Sequence, residues 1–117
     1  VSYRMLNLMI KGLNATFTAL SDPTRRSILS RLTDGRLRIT ELAAPLPISL
    51  AATSKHIKIL ERAGLVIRDV RGRDHYISLN PMPLAAAADW IEGHRTFWES
   101  RLNVLASYLG EGDSAVE

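Results

Sequence analysis

A short stretch near the middle of the chain, TSKHIK at 53–58, combines hydroxyl side chains with two lysines and a histidine. A lysine can donate hydrogen bonds to the acceptor atoms of guanine in the major groove of DNA, and a serine hydroxyl can pair with several base edges. Leu50 and Ala51, just upstream, can offer only apolar contact, for instance to a thymine methyl group. These residue types indicate contact with base edges, provided that one face of one element presents them together.

Two other kinds of side chain around this stretch suit contact with phosphate. Thr40 and Ser49 each precede a helical pattern, and a helix start offers hydroxyl and backbone N–H donors to an anion. Arg71 and Arg73 flank Gly72 in a predicted turn, where each can contact phosphate or enter the minor groove. The predicted DNA-binding residues are Thr40, Ser49, Leu50, Ala51, Ser54, Lys55, His56, Lys58, Arg71 and Arg73. For His56, a structural role against a neighbouring helix stays open beside a DNA contact.

Other chemistries lack the residues that they need. The sequence has no cysteine, which excludes disulfides and thiolate metal sites. Asp89 and His94 are five residues apart on a predicted helix and so lie on different sides of it. We therefore predict no metal ion within one chain, while a site shared between two subunits stays open. The sequence has no glycine-rich phosphate loop, HExxH motif or nucleophile elbow, so we predict neither an enzyme nor a cofactor.

The composition is that of one small globular domain with an uneven charge. The 117 residues are 46% hydrophobic and 23% charged. They contain neither an apolar run of about 20 residues nor the pattern of a secretory signal, so we expect a cytoplasmic protein without a membrane partner. Residues 1–80 carry 13 Lys and Arg against six Asp and Glu, whereas residues 81–117 carry two against six. A basic body with an acidic C-terminal segment favours a partner of negative charge.

Three helical patterns fill the first part of the chain. Apolar residues recur every three or four positions over 3–20, which predicts the first helix. Asp22 is predicted to cap a second helix over 23–33, whose first residue is a proline. Thr40 is predicted to cap a very short third helix over 41–44, which two prolines then end.

The rest of the chain predicts a helix, a hairpin and a long helix. The fourth helix is predicted over 49–63, with Gly64 as its terminator. Over 65–79 the hydrophobic period changes to two around a glycine-containing basic turn, which predicts a β-hairpin. A long helix is predicted over 84–109 and a flexible tail over 110–117.

Helix, tight turn, second helix and basic hairpin follow one another as in a winged helix-turn-helix. The predicted fold class is therefore mostly α with a small β-hairpin and about five helices, in a single domain over 1–109. The apolar surface of the helix over 84–109 is too broad for so small a domain to cover. We therefore expect part of this helix to meet a second copy of the chain.

Three segments, ALSDPTRRSILSRL, ITELAAPLPISLAATSKHIKILERAGLV and RGRDHYISLNP, resemble in order and spacing the ArsR family of bacterial winged-helix transcriptional repressors. The resemblance covers roughly residues 14–109 and is to a subgroup without the cysteine metal-sensing motif, since 41–45 reads ELAAP. It implies a homodimer built from the first and last helices. It also implies operator binding by the helix over 49–63 and the wing over 65–79, with repression relieved by a signal. The expected dimer-interface residues are Leu6, Met9, Ile10, Leu13, Trp90, Ile91, Phe97, Trp98, Leu102 and Leu105.

The resulting hypothesis is a homodimeric, sequence-specific repressor whose partner is a double-stranded DNA operator. Two alternatives stay open. The first is a winged-helix module that binds another protein, through the basic face or through the surface formed by Trp90, Phe97 and Trp98. The second is a metal-responsive repressor with a site that contains no cysteine.

Overall fold

Residues 2–116 form five α-helices and one small sheet. The structure is a computed structural model that describes the backbone of residues 2–116 and the side chains of residues 2–110. Its contacts divide the chain into two compact units with the boundary after Ala86. The elements are α1 (Tyr3–Leu20), α2 (Pro23–Arg31), a 3₁₀ turn (Leu32–Asp34), β1 (Leu37–Arg38), α3 (Ile39–Ala43), α4 (Leu50–Arg62), β2 (Val66–Arg71), β3 (Asp74–Leu79) and α5 (Met82–Val116).

Side-chain caps fix the starts of the first two helices. The hydroxyl of Ser2 accepts the N–H of Met5 at the start of α1. At the start of α2, the carboxylate of Asp22 accepts the N–H of Arg25 at 3.1 Å, with Pro23 as the first helical residue. Each cap satisfies an N–H that has no partner inside its helix. The predicted starts of the first two helices are therefore confirmed, and the second ends in a 3₁₀ turn.

The predicted cap of the third helix is wrong. Thr40 is the second residue of α3, which begins at Ile39 after Arg38. The carboxylate of Glu41 accepts the backbone N–H of Arg38 at 3.0 Å and so satisfies the group that precedes the helix. This hydrogen bond is one half of a capping box, and it places the start of α3 two residues earlier than a cap at Thr40 would.

The predicted hairpin is present and belongs to a three-stranded antiparallel sheet in the order β1-β3-β2. Strand β1 has two residues, which is too short for a period of two to be visible in the sequence. Gly64, at φ +76°, separates α4 from the sheet, and Gly72, at φ +62°, lies in the turn between β2 and β3. Glycine adopts such positive φ values without steric cost. β2, β3 and their turn are called the wing below.

The core of the first unit lies between α1, α2, α3, α4 and the sheet. Ile28 and Leu42 are fully buried there, and so is Ile77 from β3. Thr53 is also fully buried, and its hydroxyl donates to the carbonyl of Ser49 at 3.0 Å, so its burial leaves no unpaired donor. The buried hydrophobic cluster consists of Ala19, Ile28, Leu29, Leu32, Leu42, Ile57, Leu60, Leu65, Val66 and Ile77. This packing fixes α4 on the unit by its inward side.

The last helix is longer than the sequence predicts at both ends. It begins at Met82, whose N–H is accepted by the side chain of Asn80 at 3.3 Å, and it passes through Gly110. A glycine inside a helix costs only about 1 kcal/mol relative to alanine, so it need not end one. Beyond Gly110, the tail predicted over 110–117 lies outside the residues whose side chains are described. Across the described part of the chain, no helix combines the length and apolar character that a membrane span requires.

Candidate nucleic-acid interface

An open groove of about 400 Å³ lies between the exposed side of α4, the start of α3 and the wing. Thr40 lines it from α3, and Arg73 lines it from the turn of the wing. The full lining consists of Arg38, Ile39, Thr40, Leu50, Ser54, Lys58, Arg68, Arg73, Asp74 and His75. Five residues of the predicted DNA-binding set thus meet in one groove: Thr40, Leu50, Ser54, Lys58 and Arg73.

Helical spacing explains which residues of α4 reach this groove. Leu50, Ser54 and Lys58 are four residues apart and therefore lie on one side of the helix. Ala51 and Lys55 form the neighbouring exposed row, outside the groove lining. At the start of α4, the hydroxyl of Ser49 accepts the N–H of Ala52 at 3.1 Å and keeps its own proton to donate. The predicted outward face of this helix is therefore a continuous surface.

The cations of this surface differ in whether they have partners. Lys55, Lys58 and Arg73 form no ion pair or hydrogen bond with any side chain that the structure describes. Arg71, by contrast, donates to the carboxylate of Asp69 at 3.0 Å and does not line the groove. The positive charge available to a ligand in the groove therefore comes first from Lys58 and Arg73, with Lys55 beside them.

The other five groove residues, Arg38, Ile39, Arg68, Asp74 and His75, were not predicted from the sequence. Arg68 donates to the carboxylate of Glu61 on α4 and to Nδ1 of His75 on β3. The pairing of β2 with β3 places Arg68 opposite the buried Ile77, so its side chain leaves the strand on the core-facing side. Alternate residues of a strand lie on the same face, so Arg68 shares the face of Val66, which is also buried. This alternation is visible in the sequence and could have predicted the orientation of Arg68.

Comparisons with known proteins give the family. A model described as a helix-turn-helix domain matches residues 20–69. The HTH-type transcriptional regulator Rv2034 of Mycobacterium tuberculosis is 40% identical over 96 residues, which are 81% of this chain and 87% of the relative. The solved structure of an ArsR-like transcriptional regulator from Rhodococcus sp. RHA1 is 31% identical with a TM-score of 0.69, over 85% of this chain and 93% of that one. This chain belongs to the ArsR family.

As an ArsR-family winged helix-turn-helix protein, the chain is a DNA-binding transcriptional regulator and not an enzyme. The predicted family and fold class are thus confirmed. Another relative, the transcriptional repressor SdpR of Bacillus subtilis, is 35% identical over 79 residues, which are 68% of this chain and 88% of the relative.

His56 of this ArsR-family regulator is directed towards α2. Its Nδ1 accepts a hydrogen bond from Nη1 of Arg25 at 3.2 Å and lies 3.9 Å from a carboxylate oxygen of Asp22. The backbone N–H of Arg25 lowers the pKa of the Asp22 carboxyl below its ordinary value. His56 therefore joins α4 to the start of α2, which favours the structural role over a base contact.

Arg38, which also lines the groove, is paired with the carboxylate of Glu41. Glu41 accepts both the backbone N–H and Nε of Arg38 at 3.0 Å. The two hydrogen bonds from Arg38, the backbone one first, lower the pKa of the Glu41 carboxyl. Glu41 stays ionised as a result, so Arg38 offers less free charge to a ligand than Lys58 does.

The predicted dimer residues are almost all exposed within their own units. On α1, Leu6, Met9 and Ile10 are exposed, and Leu13 is half-buried. On α5 all six are exposed: Trp90, Ile91, Phe97, Trp98, Leu102 and Leu105. Surface helices of a monomer rarely leave so many large apolar side chains in contact with water.

On the same helix, His94 packs between Trp90 and Trp98, with ring centroids 4.6 and 5.6 Å away. Its Nδ1 donates to the carbonyl of Trp90 at 2.8 Å. Within the described residues, no three histidine, aspartate or glutamate side chains are grouped so that they could hold a metal ion. The histidine of α5 is thus part of an aromatic stack on one helix.

Proposed function

We propose that this chain is a homodimeric repressor that binds a double-stranded DNA operator through α4 and the wing. The observation that carries the proposal is the groove in which α4 and the wing turn present Leu50, Ser54, Lys58 and Arg73 together. In winged helix-turn-helix proteins the second helix of the motif enters the major groove, and α4 is that helix here. The proposal includes a cytoplasmic location, because the DNA that carries a bacterial operator lies in the cytoplasm.

The side chains in and beside the groove make different kinds of contact with DNA in this proposal. Ser54 and Lys55 lie within the first two turns of α4, from which they can hydrogen-bond to base edges. Leu50 supplies apolar contact for a thymine methyl group. Thr40, Ser49 and Arg73 are positioned at the edges of this surface, where they contact phosphates and so fix the register of the protein on the duplex.

Two further observations support repression by a dimer. The relative SdpR, which is 35% identical over 79 residues, is named a repressor, and repression by this chain would follow from occupation of the operator. The exposed apolar side of α5 suits contact with a second copy, which would present two wings and two α4 helices to a palindromic site. Half-sites about one helical turn apart, roughly 34–36 Å, match such a dimer.

Fluorescence anisotropy of duplexes across a salt series tests the function. The probe is a labelled duplex recovered by in vitro selection from a random-sequence pool, and the control is an unselected duplex of equal length. We expect the full chain to prefer the selected duplex by about a thousandfold or more. Equal affinity for both duplexes would reject the operator-binding function and favour a protein partner for the basic face.

Alanine substitutions at Lys55 and Arg73 distinguish a contact with a base edge from a contact with phosphate. Lys55→Ala is expected to reduce the preference for the selected duplex about tenfold, because it removes a donor to a base edge. Arg73→Ala is expected to weaken both duplexes alike and to flatten the salt dependence. In the homodimer the substitution removes one phosphate contact from each subunit, and the loss of two contacts changes the affinity ratio between about 50 and 200 mM salt by about twelvefold.

Lys11→Ala is the matched control for both variants, because Lys11 is an exposed cation on α1 outside the groove. It is expected to leave the affinity and the salt dependence unchanged. If Lys11→Ala weakens binding as much as Arg73→Ala, the wing turn has no special role in the contact.

A further inference from the structure

Arg68 joins α4 to both strands of the wing through one guanidinium. From β2, Nε and Nη2 donate to the carboxylate of Glu61 in the last turns of α4, at 3.2–3.4 Å. Nη1 donates to Nδ1 of His75 on β3 at 3.0 Å. Arg68 thus touches the two elements that the proposed function brings to the DNA.

This contact is more protected from solvent than the other ion pairs of the wing. The side chain of Arg68 is 18% exposed, whereas that of Arg71, paired with Asp69, is 68% exposed. Exposed ion pairs contribute little because water and salt screen them, and burial reduces that screening. Arg68 therefore orients its partners more strongly than Arg71 does.

The shape of the guanidinium adds a geometric constraint. Its N–H donors lie in one plane in a fixed arrangement, so a carboxylate and an imidazole bound to the same group are held at a fixed angle. His75 follows Arg73 by two residues, and Glu61 follows Lys58 by three. The angle at Arg68 therefore sets where Arg73 lies relative to Lys58.

We infer that Arg68 is a positioning residue of the DNA interface, which holds the wing so that Arg73 reaches the duplex while α4 occupies the major groove. Each of its three nitrogens donates within the protein, and Glu61 offsets its charge, so we assign the phosphate contact to Arg73 and not to Arg68. This inference rests on the proposed function.

A double-mutant cycle with Arg73 tests the inference. The four proteins are the wild type, Arg68→Ala, Arg73→Ala and the double variant, and the measured quantity is the affinity for the selected duplex at about 100 mM salt. We expect Arg73→Ala to weaken binding about threefold in the wild type and less than about 1.5-fold in the Arg68→Ala background. Without Arg68 the wing is no longer held against α4, so Arg73 does not reach the phosphate and its removal has little further effect.

His75 supplies a second pair of variants that leaves the arginine in place. His75→Gln keeps a side-chain oxygen that can accept from Nη1 of Arg68, and it is expected to preserve the full effect of Arg73→Ala. His75→Ala removes the acceptor and is expected to reduce that effect. Circular dichroism of each variant confirms that the fold is intact, so this pair decides the question even if Arg68→Ala unfolds.

Three results would overturn the inference. If the effects of the Arg68 and Arg73 substitutions multiply, or if His75→Gln and His75→Ala behave alike, the two sites are independent. If Arg68→Ala lowers the salt dependence further in the Arg73→Ala background, Arg68 itself contacts the backbone. These results leave operator binding intact, whereas a selection that recovers no preferred duplex rejects the proposed function and the positioning role together.

Discussion

At the scale of single residues, the interface depends on which charged groups already have partners. Arg38 and Arg68 line the groove but donate to Glu41 and Glu61, whereas Lys58 and Arg73 in the same groove have no partner among the described residues. A paired cation loses part of its attraction for phosphate, because its carboxylate must be displaced or left beside the anion. The lysine and arginine without partners are therefore the ones expected to release counterions from DNA.

The cap of α2 makes a prediction about pH at this scale. Asp22→Ala removes the acceptor for the N–H of Arg25 and lowers the free energy of unfolding near neutral pH. Because the pKa of Asp22 is lowered in the folded state, its contribution is present above the ordinary value of 3.8 and is lost as the pH falls through the lowered pKa. Urea unfolding at neutral and acidic pH is therefore expected to show a difference from wild type that fades in acid.

Ser49→Ala is the matched control, since it removes a cap of the same length, 3.1 Å, from a side chain that does not titrate. Its cost of about 1 kcal/mol should be the same at both pH values. If Asp22→Ala lowers the free energy of unfolding by the same amount at neutral and acidic pH, the charge of Asp22 has no part in the cap.

At the scale of elements, α4 and the turns around it depend on backbone geometry. Gly64 holds φ +76° where α4 ends and the wing begins, and Gly72 holds φ +62° at the tip of the wing. A side chain at a positive φ of this kind brings Cβ too close to the following carbonyl. The direction in which the chain leaves α4 therefore depends on Gly64.

Gly64→Ala is expected to lower the free energy of unfolding by about 1–2 kcal/mol. A Cβ at this position would lie 3.7 Å from Pro83, which is ordinary contact, so the expected cost is backbone strain and not a clash. Gly12→Ala in α1 is the control, because a Cβ there meets nothing within 4 Å and alanine favours a helix by up to about 1 kcal/mol. Equal stability of the two variants in urea would show that α4 can end without a left-handed residue.

The sequence predicts elements where a repeated pattern is long enough to be seen. The apolar spacing of α1, the cap at Ser49 and the alternation of the wing identified those elements correctly. Strand β1 was missed because two residues show no period, and the start of α3 was misplaced because Glu41 accepts the N–H of Arg38, so that the helix begins before Thr40. Of the site, helical spacing predicted the α4 face, whereas the Arg68 contacts depend on pairing between distant segments.

At the scale of the whole molecule, charge is divided unevenly along the chain. Residues 1–86 carry 13 Lys and Arg against six Asp and Glu, and residues 87–117 carry two against six. The basic unit holds the groove, while the exposed apolar side chains of α5 belong to the acidic unit. A dimer contact through α5 would therefore use the acidic unit and none of the residues that line the groove.

The oligomeric state can be changed by placing one charge in this apolar surface. Leu105→Glu is expected to convert the dimer to a monomer of 13.0 kDa, because burial of an unpaired carboxylate opposes association. Multi-angle light scattering measures the mass, and operator affinity should fall with it. Thr96→Glu, an exposed polar site on the same helix, is the control that keeps the dimer. A wild-type protein that is monomeric at micromolar concentration contradicts the proposed assembly.

The strand order β1-β3-β2 leaves β2 at the edge of the sheet, with backbone groups that have no neighbouring strand on one side. Such edges recruit strands from other molecules and start aggregation unless charges or bulges protect them. Arg68, Asp69 and Arg71 all lie on β2. The charged residues that shape the wing thus also protect it from edge-to-edge association, which would leave the apolar helices as the surface for the proposed dimer.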